Sequence, residues 1–217
     1  MKILHILYQS IPNTSGSSIR SRDIISSQKR IGIEPIVVTS PFQNPVKKNC
    51  KKEEIDGIVY YRTFRDNYDE VVSERKTPFY KQIIKMGRFF SFVIDIYKIV
   101  KKEKPDVLHA HAVFFCAFAA KISSVIFRVP VIYEVRSLWE ERYKQKNFFS
   151  KVIFSFITFL ETLAMNFVDQ LVVINKSLKN EISSRLLLKK KKIHIIENAI
   201  NIDKIKIKKS RVRRLEV

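Results

Sequence analysis

The chain has 217 residues, 46% of them hydrophobic, with only 4 Gly and 7 Pro; that suffices for one large α/β domain or two small ones and excludes a disordered or low-complexity protein. Its 41 Lys and Arg against 21 Asp and Glu give a formal charge of +20, yet the basic residues are scattered, and the two local runs, "LLLKKKKIHI" and "KIKIKKSRVRR", carry no motif that reads a nucleic acid. A general Lys-rich composition is the first reading of the charge, peripheral contact with an anionic membrane is the second, and no nucleic-acid partner is expected.

In chain order, "KILHILY" is a short apolar run closed by the turn-rich "QSIPNTSGS" and reads as a buried parallel strand. It lacks the length and the small-residue cleavage site of a signal peptide. "SSIRSRDIISSQKRIG" is a predicted helix with Ile19, Ile24 and Ile25 on one side and Gly32 as its stop. "EPIVVTS" follows as a strand and completes a βαβ unit. Residues 41–54 are polar, basic and turn-rich and read as a loop, "DGIVYYRTF" as a strand, and residues 66–77 as a charged connection. In the long helix predicted over residues 79–104, Lys81, Lys85, Arg88, Ser91, Asp95, Lys98 and Lys102 form one polar stripe, so the wide apolar remainder is expected to be buried.

The alternation then repeats. "DVLHAH", "VPVIYEV", "DQLVVIN" and "KIHIIENAI" are strands, separated by helices in "AVFFCAFAAKISSVIF", "NFFSKVIFSFITFLETLAMNFV" and "KSLKNEISSRLLL". The most apolar piece, residues 148–160, is 13 residues long with Lys151 inside, short of the about 20 that a membrane span needs. Cys50 and Cys116 are far apart and lack a CxxC partner, which argues against a disulfide framework and fits the cytoplasm. Seven strands alternating with helices predict an α/β fold: a doubly wound, mostly parallel, Rossmann-like sheet with helices on both faces. Ligands of such sheets sit beyond the carboxyl ends of the strands.

Three groups of residues fall at those ends. Ser15, Gly16 and Ser17 precede a helix N-terminus, where free N–H groups and the macrodipole favour an anion. Gly16 permits close backbone approach, and Arg20 and Arg22 add charge, although an ordinary capped helix has the same look. Neither G-x-G-x-x-G nor a Walker sequence is present, which disfavours dinucleotide and ATP. In "HAH", His109 and His111 share a face. His111, nearer the strand exit, is the candidate to accept or relay a proton; His109 reads as a hydrogen-bonded core histidine. A metal would need a third ligand, and no H-E-x-x-H or nearby carboxylate cluster supplies one, so no metal is expected. Glu134 and Arg136 leave "VPVIY" on one side and are costly to bury unpaired; they pair with each other or face a cleft. Trp139, the only tryptophan, with Glu140 and Glu141, offers a surface for a polyol or sugar, or equally caps an ion pair. Glu197, Asn198 and Asn201 leave the last strand.

Taken in order, the strand–"SGSS"–helix run, "DVLHAH", "VIYEVRSLWEE", "ETLAMNFVDQLVVINKSLKNEI" and "KIHIIENAINIDKI" resemble the N-terminal, acceptor-side half of family 4 glycosyltransferases of the GT-B fold. The details "HIL..SIP..SG.S.R", "VTSP" and "YEVRSLWEE" are most similar to bacterial glycosyltransferases of exosortase and exopolysaccharide loci. The resemblance implies a Rossmann-like domain over residues 1–205, with 206–217 as a basic tail or the start of a second domain. It implies transfer of a sugar from a nucleotide sugar to a glycan or lipid-linked acceptor, with retention, without a metal or other cofactor. It matches Gly16 to the loop that reaches the donor phosphates and the acceptor, and His111 to the histidine near the reacting sugar. The substrate-binding candidates are Ser15, Gly16, Ser17, Arg20, Glu134, Arg136, Trp139 and Asn198, with His111 as the catalytic candidate.

"ENAIN" is similar to the family's N-G-V-D hinge, with Ala199 in place of Gly and Asn201 in place of Asp. The family's donor-gripping domain, with its basic pair and E-x7-E motif, is expected to lie outside these 217 residues. Such a domain alone is expected to be inactive, to need a separate C-terminal donor domain, or to serve as a membrane- or partner-docking subunit of a split transferase. The implied location is cytoplasmic and peripheral on the inner face of the membrane, with the helices at 79–104 and 148–167 either docking there or simply covering the sheet.

Overall fold

Runs of Ile, Val and Leu bounded by turn residues become strands buried on both faces. The computed structural model describes residues 1–43, 50–64, 79–139, 148–188 and 190–199. The strands are β1 (Lys2–Leu7), β2 (Glu34–Thr39), β3 (Lys52–Ile55), β4 (Ile58–Arg62), β5 (Val107–His111), β6 (Val131–Val135), β7 (Gln170–Val173) and β8 (Ile193–Ile195). They form one 8-stranded sheet in the order β3-β4-β2-β1-β5-β6-β7-β8. The helices are α1 (Gly16–Arg30), α2 (Phe79–Glu103), α3 (Phe114–Phe127), α4 (Phe148–Phe167) and α5 (Lys176–Ser183), with a 3-10 turn at Leu186–Leu188.

The predicted doubly wound sheet is present, with one more strand than the seven expected. Lys52–Ile55, expected in a loop, forms the edge strand β3 and pairs antiparallel with β4; all other pairings are parallel. The last strand is shorter than its apolar run implied, only Ile193–Ile195.

From β1 the chain winds one way to β2 and β4, and from β5 it winds the other way to β6, β7 and β8. With right-handed crossovers, this reversal puts α1 on the opposite face from the later helices. The two cores agree. Leu4, Ile6, Leu108, Ala110 and Tyr133 pack with residues of α2 to α5, whereas Leu7, Val37, Ile58 and Tyr60 pack with Ile25 of α1. Among the described helices, α1 alone supplies a core residue to the second face, and no described helix covers the β5–β8 half of that face.

Two helix expectations are corrected. In α1, Ile25 is buried but Ile19 is exposed, because the helix meets the sheet along a narrow line. In α2 the stripe read as polar includes buried Arg88, while Ile83, Met86, Phe90 and Ile94 face solvent. Exposed apolar side chains continue on α3 (Ile122, Val125) and α4 (Val152, Phe156, Phe159). No helix among the described residues is long and apolar enough to cross a membrane. Both cysteines are free thiols.

Candidate functional site

The site is built where the sheet reverses, between β1 and β5, the place where open α/β sheets form their crevice. His5 lies opposite His109 in the β1–β5 pairing, and His111 lies opposite Glu134 in the β5–β6 pairing. Strand alternation therefore puts His5, His109, His111 and Glu134 on one face, the face of α1. The N-terminal half of α1 stands over their carboxyl ends. Ser15 caps the helix by accepting from the Ser18 N–H, an exchange typical of an N-cap.

The side chains form one connected network. His111 Nδ1 lies 2.8 Å from Glu134 Oε2 and 2.7 Å from Arg136 Nη2, and its Nε2 lies 2.9 Å from His5 Nδ1. His5 Nε2 lies 2.8 Å from Gln28 Oε1. Arg136 donates to the carbonyl and hydroxyl of Ser17, to the Ser21 hydroxyl, and to Glu134 at 2.9 Å. Arg20 pairs with the other carboxylate oxygen at 2.6 Å and donates to the carbonyls of Ile196 and Glu197 and to Asn198 Oδ1. Arg136 thus ties β6 to α1, and Arg20 ties α1 to the exit of β8. Immediately after His111, Ala112 takes a left-handed φ of 67°, a sparsely populated conformation for a residue with a Cβ.

Burial keeps the imidazoles neutral. His5 and His109 titrate well below the ordinary histidine value, and burial moves His111 down to about 3. Burial opposes ionisation of Glu134, but its hydrogen bond with His111 and the charge of Arg136 hold the carboxyl below the usual range. With His111 neutral, the two arginines supply the positive charge that keeps Glu134 ionised.

The structure brings together Ser17, Arg20, Glu134, Arg136, His111 and Asn198, with Ser15 and Gly16 at the adjoining helix start. Open space lies beside the Gly16 Cα. Of the two arrangements open to Glu134 and Arg136, both hold: they pair, and Glu134 lines a groove. Trp139 belongs instead to an aromatic cluster, edge-on to Tyr8 and Phe114, with its backbone N–H on the Glu161 carboxylate. Glu140, Glu141, Asn201 and the tail 206–217 lie outside the described residues.

His111 is buried and both its ring nitrogens are engaged, so in this arrangement it holds Glu134 and Arg136 rather than meeting a substrate. His109, expected to be a hydrogen-bonded core residue, is the imidazole on the groove. Its side chain is 12% exposed, and its buried Nε2 has no hydrogen-bond partner among the described residues. The groove, about 860 Å³ between α1 and the β5–β8 half of the sheet, has His109, Glu134 and Arg20 at its polar end and Ile24, Ile132 and Val172 along its apolar part.

Sequence reasoning missed His5 and Gln28. His5 stood inside an apolar run like any core residue, and only its pairing with β5 reveals it. It is also the third nitrogen ligand that "HAH" lacked: His5, His109 and His111 each offer a nitrogen within 4.8 Å of the others.

Comparison with known proteins decides the family. Residues 14–204 match Glycosyltransferase Family 4. The chain belongs to that family. No curated protein matches it. Among solved structures, a sucrose-phosphate synthase from Thermosynechococcus elongatus is similar with a TM-score of 0.59 at 12% identity, covering 93% of this chain and 91% of that one. A lipopolysaccharide outer core galactosyltransferase in its apo form is similar with a TM-score of 0.56 at 13% identity, covering 94% of this chain and 48% of that one. A UDP-GlcNAc 2-epimerase from Methanocaldococcus jannaschii gives a TM-score of 0.48 at 15% identity, covering 91% and 46%. For the first two, at these identities, the likeness concerns the fold, an α/β half of the GT-B type. This family 4 chain spans about half the length of the galactosyltransferase and the epimerase.

Proposed function

We propose that this family 4 domain is the acceptor-side half of a retaining glycosyltransferase that moves a sugar from a nucleotide sugar to a glycan or lipid-linked acceptor in exopolysaccharide synthesis. The observation that carries the reading is the polar cluster at the sheet reversal, where Glu134 is clamped between Arg20 and Arg136 at the start of α1, within a family 4 match of 14–204. One wall of a cleft cannot hold donor and acceptor in line or exclude water, so the donor diphosphate is assigned to a second domain. His111 acts as a positioning residue: it fixes the carboxylate and guanidinium that meet the substrate.

The experiment fuses a donor-binding domain of the family to this chain and measures sugar transfer from nucleotide sugars to a lipid-linked acceptor. The fusion is expected to turn over where the chain alone does not. His111→Asn should lower kcat by about 100-fold, as misplacement of reacting groups does, with KM little changed. Unchanged kcat in a folded variant removes His111 from the mechanism, and no transfer by any fusion removes the reading.

A second reading, a membrane-docking subunit of a split transferase, has its own observation. Ile83, Met86 and Phe90 of α2 and Phe156 and Phe159 of α4 are exposed on a chain of charge +20, a composition that favours an anionic interface. Flotation with anionic phospholipid vesicles should retain the protein at low salt, and Phe90→Glu with Phe156→Glu should release it. Equal binding by the double variant, or none by the wild type, excludes this face as the anchor.

A further inference from the structure

We propose that His5, His109 and His111 form a site for one divalent transition metal of the zinc class, at the floor of the groove beside α1. The three imidazoles come from the neighbouring strands β1 and β5 and point to one face, each with a nitrogen within 4.8 Å of the others. A tetrahedral zinc with Zn–N bonds of about 2.0–2.1 Å separates its ligand nitrogens by roughly 3.3 Å. The spacing of His5 Nδ1 and His111 Nε2, 2.9 Å, is slightly tighter than that, and the whole set spans up to 4.8 Å. The His109 and His111 rings lie 3.9 Å apart at 33°, so loading requires His109, the partly exposed ring, to splay from His111 and turn its nitrogen inward.

The outer contacts favour a metal. Ligating imidazoles give their other N–H to a carboxylate or amide oxygen, which sets the tautomer. Here Glu134 Oε2 faces His111 Nδ1 and Gln28 Oε1 faces His5 Nε2, each at 2.8 Å. With protons on those outer nitrogens, His5 Nδ1 and His111 Nε2 turn lone pairs toward each other, and a cation between them removes the repulsion.

Without metal, the His111 proton sits on Nδ1 and Glu134 accepts it, so the proton in the contact between His5 Nδ1 and His111 Nε2 belongs to His5. Metal loading moves that His5 proton to Nε2, where Gln28 Oε1 accepts it. Arg136 keeps its bonds to Ser17, Ser21 and Glu134. No proton is gained or lost overall.

His109 supplies the second line of evidence, since its buried Nε2 has no hydrogen-bond partner among the described residues and a metal provides one. Its exposed edge on the groove gives the ion access. The charges of Arg20 and Arg136 oppose a nearby cation. That selects an ion held by strong nitrogen coordination over a hard, oxygen-seeking one. The metal adds no step to sugar transfer; it locks His111 and with it Glu134. The proposal stands independently of the transferase reading.

The test strips the protein with EDTA and titrates it with Zn2+ alone, with Co2+ as a spectroscopic substitute. One ion per chain, the visible absorption of tetrahedral Co2+ and a raised Tm are expected. His109→Leu should fold in EDTA, because it removes an orphaned nitrogen, and should lose stoichiometric binding. Gln28→Leu should bind about 10–100-fold more weakly. His194→Ala, on β8 outside the cluster, should bind like the wild type. Absence of a stoichiometric ion, or wild-type affinity in His109→Leu, overturns the proposal.

Discussion

Replacing Glu134 with alanine is expected to destabilise the fold by about 3–5 kcal/mol, the cost of leaving buried charges uncompensated. Glu134 is 2% exposed and sits between Arg136, 8% exposed, and Arg20, 13% exposed. Both guanidiniums keep neutral acceptors, the Ser17 carbonyl for one and the Ile196 carbonyl for the other, so the fold survives, but two positive charges then face each other with no anion between them. Urea denaturation should show the midpoint falling with an unchanged slope. Glu134→Gln should cost less, since an amide oxygen still accepts from the arginines. If Glu134→Ala moves stability by less than about 1 kcal/mol, the pairs behave as solvent-screened surface pairs and the buried cluster is refuted.

The second large effect is on pH. An unfolded histidine titrates near 6.5, whereas burial depresses the values of His5, His109 and His111 in the fold, the last to about 3. Below pH 6.5 the unfolded chain binds protons that the native cluster refuses. Stability is therefore complete above that pH and is lost as pH falls toward the folded values; His111 alone contributes about 2 kcal/mol of that loss at pH 5, and His5 and His109 add to it with the same sign. Glu134 acts with the same sign but in a lower window, below its ordinary carboxylate range. Thermal melts in EDTA should show Tm nearly flat from pH 8 to 7 and falling steeply from about 6.5 to 5. A variant with His5→Leu should fall less steeply, because one of the refused protons is gone. A flat profile through that window would mean that the imidazoles are solvated or charged in the native protein.

The architecture was legible because its signals are local. Apolar runs such as "EPIVVTS" and "VPVIYEV" need both faces covered, whichever strands lie beside them, and Gly32, with a φ of 84°, ends α1 where a left-handed residue is required. The half-exposed edge strand β3, "KEEI", was not legible, because its order comes from the ladder with β4 rather than from its own apolarity. The exposed side of α2 was misread for a related reason. A helical pattern shows which residues share a face, but the packing of α3 against α2 settles which face is covered.

The same division runs through the site. Alternation along one strand placed His109 with His111 and Glu134 with Arg136, and the turn chemistry around Ser15 placed a helix start near them. Nothing within "KILHILY" could mark His5, because its partner His111 is 106 residues away. That contact exists because β1 and β5 are neighbours at the reversal of the sheet. Local pattern dictates the elements and the direction in which each side chain points. Strand order, a long-range property set by how crossovers bury both faces of the sheet, chooses which side chains meet, and it made three histidines and a doubly clamped carboxylate into one cluster.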